Sequence, residues 1–244
     1  MKTILCILFI LPIAAISAQS INRFVPGEKL EYQIYFGPVN AGMAYSFLRL
    51  DTVRGQEVYY SEMLGRSTGL ADKLYRIRDL YGAYFDPETL LPLKSIRDIK
   101  EGNYRKYESV DYYHDSLKVH SSLSGEHEIP ANIRDMVSLL YYVRQVDFDT
   151  MQYDDIIDID TWFDDELFPF DIRYRGRETI RTRSGTYHCI KLVPFVEPGR
   201  IFRKEDDMTL WFSEDANRVP IRIKFDLIVG SVKCDLIKYE GLKY

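Results

Sequence analysis

The chain has 244 residues, of which 46% are hydrophobic, and its formal net charge is −5 at pH 7. This apolar content is sufficient for a folded core, and the length suits one large β domain. Binding to nucleic acid or to an anionic membrane through net charge is excluded, because it needs a clustered excess of Lys and Arg that the sequence lacks.

The start of the chain has the layout of a secretory signal peptide. Lys2 precedes an apolar run over residues 4–16, and the small residues Ser17 and Ala18 follow it. A membrane-spanning helix needs roughly 20 apolar residues, and this run is shorter. We therefore expect cleavage after Ala18, a periplasmic location, no membrane-spanning segment, and a single β-rich domain over residues 19–244.

Two cysteines, Cys189 and Cys234, lie outside the predicted signal peptide. An exported protein can keep a disulfide, but the geometry that pairing requires is not readable from sequence. Cys234 shares the apolar phase of its segment with Val232 and Leu236, which favours a buried free thiol as the simpler interpretation. A Cys189–Cys234 disulfide stays open as the alternative.

Alternation of apolar and polar residues, which is typical of half-buried strands, dominates the chain. It is clearest near the start, where Leu30, Tyr32, Ile34 and Phe36 fall on one face. The same criterion predicts strands at residues 168–175 and 221–229, and we expect residues 156–163 to resume strand. Further strands are predicted from Tyr- and Val-rich composition at residues 43–53, 56–66, 74–85, 93–100, 104–114 and 117–123.

Turn signals separate these segments. Pro87 presets a turn after Asp86, and glycines at 55, 102 and 185 supply residues that tolerate a positive φ. Such spacing is typical of a meander of hairpins. We therefore predict a mainly β fold, in which an antiparallel meander forms a curved sheet, half-barrel or barrel.

One segment has helical spacing instead, and predicts an amphipathic helix over about residues 132–146 packed on the sheet. Asn132 is the expected N-cap, with the acid Asp135 in the first turn. The acidic stretch that follows, near residues 147–155, is a candidate hinge between two halves of the domain. The apolar residues of the helix are Ile133, Met136, Val137, Leu140 and Tyr141.

The sequence carries no recognisable catalytic or metal-binding set. It has four histidines, at positions 114, 120, 127 and 188, and no Gly-x-Ser-x-Gly elbow or phosphate loop. His114 and His120 could share a face, but the acidic run lacks the glycine and the terminal Glu of a calcium loop. We predict no catalytic residue, no metal and no cofactor.

An ordered set of short motifs covers nearly all of the expected exported chain. In these motifs the chain resembles an uncharacterised family of exported bacterial proteins, the domain of unknown function 3108. The resemblance implies a periplasmic β-rich fold similar to the curved half-barrels of lipoprotein carriers, and no established activity. The motifs are residues 24–32 with Gly37 and Ala41-Gly42, Thr68-Gly69 with Asp72, residues 86–92, Asp135, Ser138, Tyr141 and Arg144, Gly176-Arg177-Glu178, and residues 210–213 with Asp215 and Arg218-Val219-Pro220.

Polar residues follow one line of the predicted helix, because Ser138, Tyr141 and Arg144 lie at successive steps of three. Such a stripe could line a pocket or could serve only the structure of the helix. The tentative ligand-binding residues are these three together with His188 and Trp211. His188 lies in phase with neighbouring apolar residues, so a core histidine with one hydrogen bond is its alternative role, and Trp211 could be a core anchor.

Export, 19 Tyr and 13 Phe residues, one amphipathic helix and no catalytic set favour a binding function. The leading hypothesis is a periplasmic binding or carrier module for an apolar or amphipathic cell-envelope molecule, such as a lipid, held between sheet and helix. Burying an acyl chain gains roughly 0.8 kcal/mol per methylene. The alternatives are a structural or protein-interaction factor in envelope assembly, with an envelope protein as partner, and a hydrolase of envelope polymers.

Overall fold

The computed structural model describes residues 22–196 and 202–244, so the predicted cleavage after Ala18 lies outside the described residues. In chain order the elements of this part are β1 (Lys29–Phe36), β2 (Val39–Val53), β3 (Gln56–Ser67), α1 (Gly69–Leu74), β4 (Arg78–Phe85), β5 (Pro92–Glu101), β6 (Tyr104–Tyr113), a 3-10 turn (His114–Ser116), β7 (Lys118–Ser121), β8 (Gly125–Glu128), α2 (Met136–Val143), β9 (Ile156–Ile157), β10 (Asp160–Phe163), β11 (Glu166–Pro169), β12 (Ile172–Arg181), β13 (Thr186–Pro194), β14 (Met208–Ser213), β15 (Pro220–Asp226) and β16 (Ser231–Glu240).

Fourteen of these strands form one antiparallel sheet in the order β8-β7-β6-β5-β4-β3-β2-β1-β16-β15-β14-β13-β12-β9, and β10 and β11 form a separate hairpin. Sequential strands pair from β1 to β8, as a meander predicts. The last strand β16 returns to pair with β1 and joins the two halves of the sheet. The edge strands β8 and β9 do not pair with each other, so the sheet is open and the closed-barrel alternative is wrong.

The sheet curves around α2. One core cluster joins Leu139 and Val143 of α2 to strands β12, β13 and β14. Another joins Val137 and Tyr141 to strands β2, β3 and β4. From β3 to β13 there are six strand spacings, or roughly 29 Å along a flat sheet, whereas a helix with its side chains is only about 10–12 Å wide. Both groups of strands can contact α2 only if the sheet bends around it.

The helix is shorter than the predicted 132–146 and begins later. Its N-cap is Asp135, and Asn132 instead adopts a left-handed φ of 64° in the preceding turn. The segment 129–135 is therefore extended or turned, although its apolar residue Ile133 is fully buried in a separate cluster with Trp162. Residues beyond Val143 connect α2 to β9.

Four other predicted strands are corrected. The segment 74–85 begins with the end of the short helix α1, so β4 starts only at Arg78. The predicted strand 168–175 is divided between β11 and β12, and residues 156–163 are divided between β9 and β10. Strand β6 ends before His114, which lies in the 3-10 turn.

Cys189 is buried, Cys234 is partly buried, and both thiols are free. They belong to one apolar cluster that also includes Trp211 and Leu236. Burial raises the pKa of each thiol to about 12. Within the described ranges, no helix has the length and apolarity needed to cross a bilayer.

Candidate functional site

The polar residues predicted on the helix have structural partners at its start. Asp135 accepts hydrogen bonds from the backbone N–H of Val137, at 2.7 Å, and of Ser138, at 3.3 Å. The Ser138 hydroxyl lies 3.3 Å from the backbone N–H of Asp135 and completes a capping box. Burial raises the pKa of Asp135, against the effect of these hydrogen bonds. Ser138 is fully buried and its hydroxyl serves the helix terminus.

Tyr141 lies one turn further along α2 and points into the inner face of the sheet. Its hydroxyl is 3.0 Å from the Ser61 hydroxyl of β3. The Tyr141 ring meets Phe24 edge-on, at a centroid distance of 4.7 Å, and Phe85 at 5.1 Å. Burial raises the pKa of Tyr141 to about 12. Tyr141 therefore joins the helix to β3 and β4.

Arg144 follows α2 and forms the most deeply buried ion pair of the described residues. Its two terminal nitrogens each lie 2.7 Å from one carboxylate oxygen of Glu28, and the side chains are 2% and 1% exposed. Its Nε and one terminal nitrogen also donate to the Asn217 carbonyl, at 3.1 and 2.9 Å. Burial alone would lower the pKa of Arg144, but the hydrogen bonds and charge of Glu28 raise it.

The space between α2 and the sheet is small. A cavity of about 70 Å³ lies there, lined mainly by apolar side chains that include Leu30, Met63, Leu140 and Ile223, with Arg144 among the polar ones. Sites for drug-sized ligands usually measure about 300–1,000 Å³. This cavity would therefore accept a ligand of that size only if α2 moved.

The two remaining predicted residues lie on the neighbouring strands β13 and β14, outside the core cluster that these strands form with α2. His188 is exposed, and its Nδ1 lies 2.9 Å from the Thr179 hydroxyl, so it is not the core histidine considered above. Trp211 is buried in the cluster with Cys189, and its Nε1 donates to the Glu178 carboxylate. Trp211 is thus a core anchor, and ligand binding by any of the five tentative residues stays a prediction.

The histidines do not form a catalytic arrangement. His127 Nε2 lies 2.6 Å from the Ser124 hydroxyl, but the acid Asp165 contacts that same hydroxyl, at 2.8 Å, rather than the imidazole. A base in a triad must be oriented by a third group, which this geometry does not provide. His114 Nε2 contacts the Pro92 carbonyl at 2.8 Å. Among the residues that the structure describes, no group of three or more His, Cys, Asp and Glu side chains could hold a metal ion.

A larger groove, which we call the outer groove, lies on the face of the sheet opposite α2. Met63 and Tyr81 pack toward α2, so their sequence neighbours Leu64 and Leu80 point the other way. The groove has a volume of about 500 Å³, which falls in the usual range for ligand sites. Its lining consists of Tyr45, Phe47, Leu64, Gly65, Arg66, Arg78, Asp79, Leu80, Asp98 and Lys100.

The floor of the outer groove is a row of apolar side chains that crosses three strands. Tyr45 of β2 lies opposite Leu64 of β3, and Leu64 lies opposite Leu80 of β4. Phe47 lies two residues along β2 from Tyr45. Each of these side chains is half-buried, so the row is accessible to a molecule that lies against it.

Cations line the next row of the groove. Arg66 lies directly opposite Arg78 across β3 and β4, an arrangement that is destabilising for like charges. Arg78 pairs with Asp72 at 2.7 Å, and the hydrogen bonds from Arg78 and Ser67 lower the pKa of Asp72. Arg66 donates to the Tyr45 hydroxyl at 2.9 Å, and no described carboxylate lies within ion-pair distance of it. An anion at this edge would relieve the repulsion between the two arginines.

The outer groove was not predicted from the sequence, although the sequence contains a signal for it. Strands β2, β3 and β4 carry apolar residues on both of their faces. Between the residues that face α2, they have Tyr45, Phe47, Leu64 and Leu80 on the opposite face. A strand with one solvated face should be polar in one phase. Apolar residues in the second phase therefore indicated a second apolar surface.

The fold defines an open, curved, antiparallel sheet with a helix on its inner face, the β-barrel-like class of architecture. The chain belongs to the family described as protein of unknown function DUF3108, which matches residues 31–237. This confirms the family resemblance inferred from the motifs. No curated protein matches the chain in sequence.

One solved structure supports the same architecture, and two others are similar to a lesser degree. A β-barrel-like protein of the domain of unknown function DUF1849 from Brucella abortus is 6% identical, with a TM-score of 0.61, over 91% of this chain and 100% of that one. A DUF1089 family protein from Pseudomonas aeruginosa is 8% identical over 77% of this chain and 90% of its own, with a TM-score of 0.42. A protein of YmcC-like fold from Bacteroides fragilis is 10% identical, with a TM-score of 0.41, over 89% and 97%. The first of these likenesses shows the fold alone.

Proposed function

We propose that this protein is a periplasmic binding or carrier module for an amphipathic cell-envelope molecule, and that the outer groove is its binding site. The observation that carries the proposal is the groove itself, with its volume of about 500 Å³ and its floor of half-buried apolar side chains. The predicted signal peptide supports the periplasmic location.

The groove suits the ligand better than the space under α2. The inner cavity of about 70 Å³ would have to expand several-fold, and α2 is tied to the sheet by the buried pair of Arg144 and Glu28. Burying half of a twelve-carbon chain in the groove gains roughly 5 kcal/mol, at about 0.8 kcal/mol per methylene. This gain is available without a change in the fold, before the entropic cost of association.

The charge of the groove edge selects the head group. Arg66 and Arg78 face each other, and Arg66 has no described carboxylate partner. A carboxylate, phosphate or sulfate head accepts charge-assisted hydrogen bonds from guanidinium groups. The ligand class is therefore an anionic amphiphile, with its apolar part on Leu64 and Leu80.

A fluorescence titration with 1-anilinonaphthalene-8-sulfonate tests this assignment, because the probe combines an apolar ring system with a sulfonate. We expect saturable binding to the folded protein, with displacement by dodecanoate and not by dodecyltrimethylammonium. Leu64→Glu places a carboxylate on the floor and should weaken binding at least about tenfold, since it removes apolar contact and repels the sulfonate.

The controls separate the groove from other surfaces. Leu167→Glu introduces the same charge at an exposed leucine of β11, which is not part of the groove, and should bind the probe as the unmodified protein does. Arg66→Gln should weaken dodecanoate binding while far-UV circular dichroism stays unchanged. Equal probe binding by the Leu64→Glu and Leu167→Glu proteins would refute the groove as the site.

A further inference from the structure

Exposed apolar side chains gather at one end of the sheet. They belong to three connections: the β1–β2 turn, the α1 connection between β3 and β4, and the β15–β16 turn. We call this set the end surface. Its members, with their exposed fractions, are Phe36 (45%), Val39 (55%), Leu70 (69%), Leu74 (79%), Tyr75 (52%), Ile228 (43%) and Val229 (75%).

Strand register places the three connections side by side. Phe36 at the end of β1 pairs with Val39 of β2 and with Val232 of β16. The start of α1 is joined to β2 by the Thr68 N–H, which donates to the Ala41 carbonyl at 2.9 Å. The strands involved are six neighbours in the sheet, from β4 to β15, so the end surface extends over roughly 24 Å.

Helix α1 presents its leucines outward. Asp72 accepts hydrogen bonds from Ser67 and Arg78, both at 2.7 Å, and so holds its side of the helix against the sheet. Leu70 and Leu74 are four residues apart and share a face, whereas Asp72 lies two residues from each and points away from that face. No residue of α1 is buried, so its apolar side contributes nothing to the core.

The local charge of the end surface is opposite in sign to that of the chain. Its three connections, residues 36–40, 68–77 and 227–230, contain the cations Lys73 and Arg76 and the single acid Asp72. The Asp72 carboxylate accepts hydrogen bonds from Ser67 and Arg78 and lies 3.8 Å from the exposed Arg76. The chain as a whole carries −5. The adjoining segment 202–207 has two cations and three acids and is not part of the surface.

We propose that the end surface docks on a lipid bilayer, with the apolar tips in the interfacial region and Lys73 and Arg76 at anionic head groups. Apolar side chains on separate chain reversals protrude, and a bilayer accommodates protrusions that a protein partner must match with cavities. A short helix with leucines on one face and cations beside them is typical of an interfacial helix. Docking of this kind does not need a net positive charge on the chain. It also does not depend on the outer groove.

Vesicle sedimentation of residues 19–244, the chain without its predicted signal peptide, tests the proposal. We expect the protein to sediment with vesicles of phosphatidylethanolamine and phosphatidylglycerol. The double substitution Leu74→Asp and Val229→Asp should reduce the bound fraction at least about tenfold, because each replaces an apolar tip by a charge. Lys73→Glu with Arg76→Glu should reduce binding to these vesicles and leave binding to phosphatidylcholine vesicles unchanged.

The matched control is Leu50→Asp. Leu50 is 46% exposed but lies toward the opposite end of β2, so its replacement should leave sedimentation unchanged. The substituted side chains are exposed, and far-UV circular dichroism should match for all proteins. Failure of the unmodified protein to sediment would overturn the proposal. A dimer in light scattering that the double substitution dissociates would also overturn it, since a second copy would then cover the surface.

Discussion

Replacement of Arg144 by methionine tests the buried ion pair that joins α2 to the sheet. The substitution leaves the Glu28 carboxylate, which is 1% exposed, without its cation and removes both hydrogen bonds to the Asn217 carbonyl. Removal of one partner of a buried pair costs about 3–5 kcal/mol. Because whole domains are stable by only about 5–15 kcal/mol, this loss is a large fraction of the total.

A second substitution distinguishes a broken pair from lost packing. Arg144→Met combined with Glu28→Leu removes both charges and leaves no buried carboxylate, so we expect a smaller loss than for Arg144→Met alone. The Arg144 guanidinium also lies 4.9 Å from the Phe24 ring centroid, and methionine retains part of that apolar contact. The double-mutant cycle isolates the interaction of the two charges from this shared packing.

Urea unfolding followed by tryptophan fluorescence measures these differences, and thermal unfolding provides an independent value. A loss of 3–5 kcal/mol corresponds to a decrease in Tm of roughly 6–20 °C for a domain of this size. The reasoning is refuted if Arg144→Met costs less than about 1 kcal/mol. It is also refuted if the double variant loses the sum of the two single losses.

Three smaller predictions concern the helix start, a buried acid and the thiols. Asp135→Ala should lower the free energy of unfolding by about 0.5–2 kcal/mol in urea, with Asp135→Asn close to the unmodified protein; equal losses for both would contradict the N-cap assignment. Burial raises the pKa of Glu108 in the folded protein above the unfolded value of about 4.3. The folded state therefore holds this proton more tightly, and the free energy of unfolding falls as the pH rises from about 4 through the folded-state pKa. Glu108→Gln should therefore flatten the dependence of the urea midpoint on pH in that window. An unchanged slope would contradict the raised pKa of Glu108. Because the pKa of the Cys189 and Cys234 thiols is raised to about 12, iodoacetamide at about pH 8 should label neither in the native protein while labelling both in urea.

Local features of the fold follow directly from the sequence. Strands β2 and β3 agree with the predicted segments 43–53 and 56–66 to within four residues, because alternation and the intervening turn act over short distances. Arg54 and Gly55 both have a positive φ, at 53° and 80°, as a two-residue hairpin turn of this hand requires. A glycine at the second position therefore indicated the turn.

Contacts between residues far apart in the chain could not be predicted from the sequence. The pair of Glu28 and Arg144 joins residues that are 116 positions apart, and β1 pairs with β16 at the other end of the chain. No local propensity specifies such partners. Helix α1 was missed because its 6 residues are too few to establish a helical period, which a single leucine pair four residues apart does not define.

The candidate site was predicted only in part. The polar stripe on α2 was placed on the correct helix, but Ser138 and Arg144 have intramolecular partners that the spacing could not indicate. The floor of the outer groove comes from β2, β3 and β4, whose lateral order depends on pairing. The sequence shows that these residues are apolar and lie on the outward face of their strands. That they form one row could be seen only from the register of the sheet.

Native mass spectrometry of the protein, isolated under mild conditions from its own cells, tests binding by the outer groove most directly. We predict an adduct with the mass of an anionic amphiphile, present on the unmodified protein and on Leu167→Glu, and lost from Leu64→Glu. A bare protein mass in repeated isolations, or an adduct that Leu64→Glu retains in full, would contradict the account.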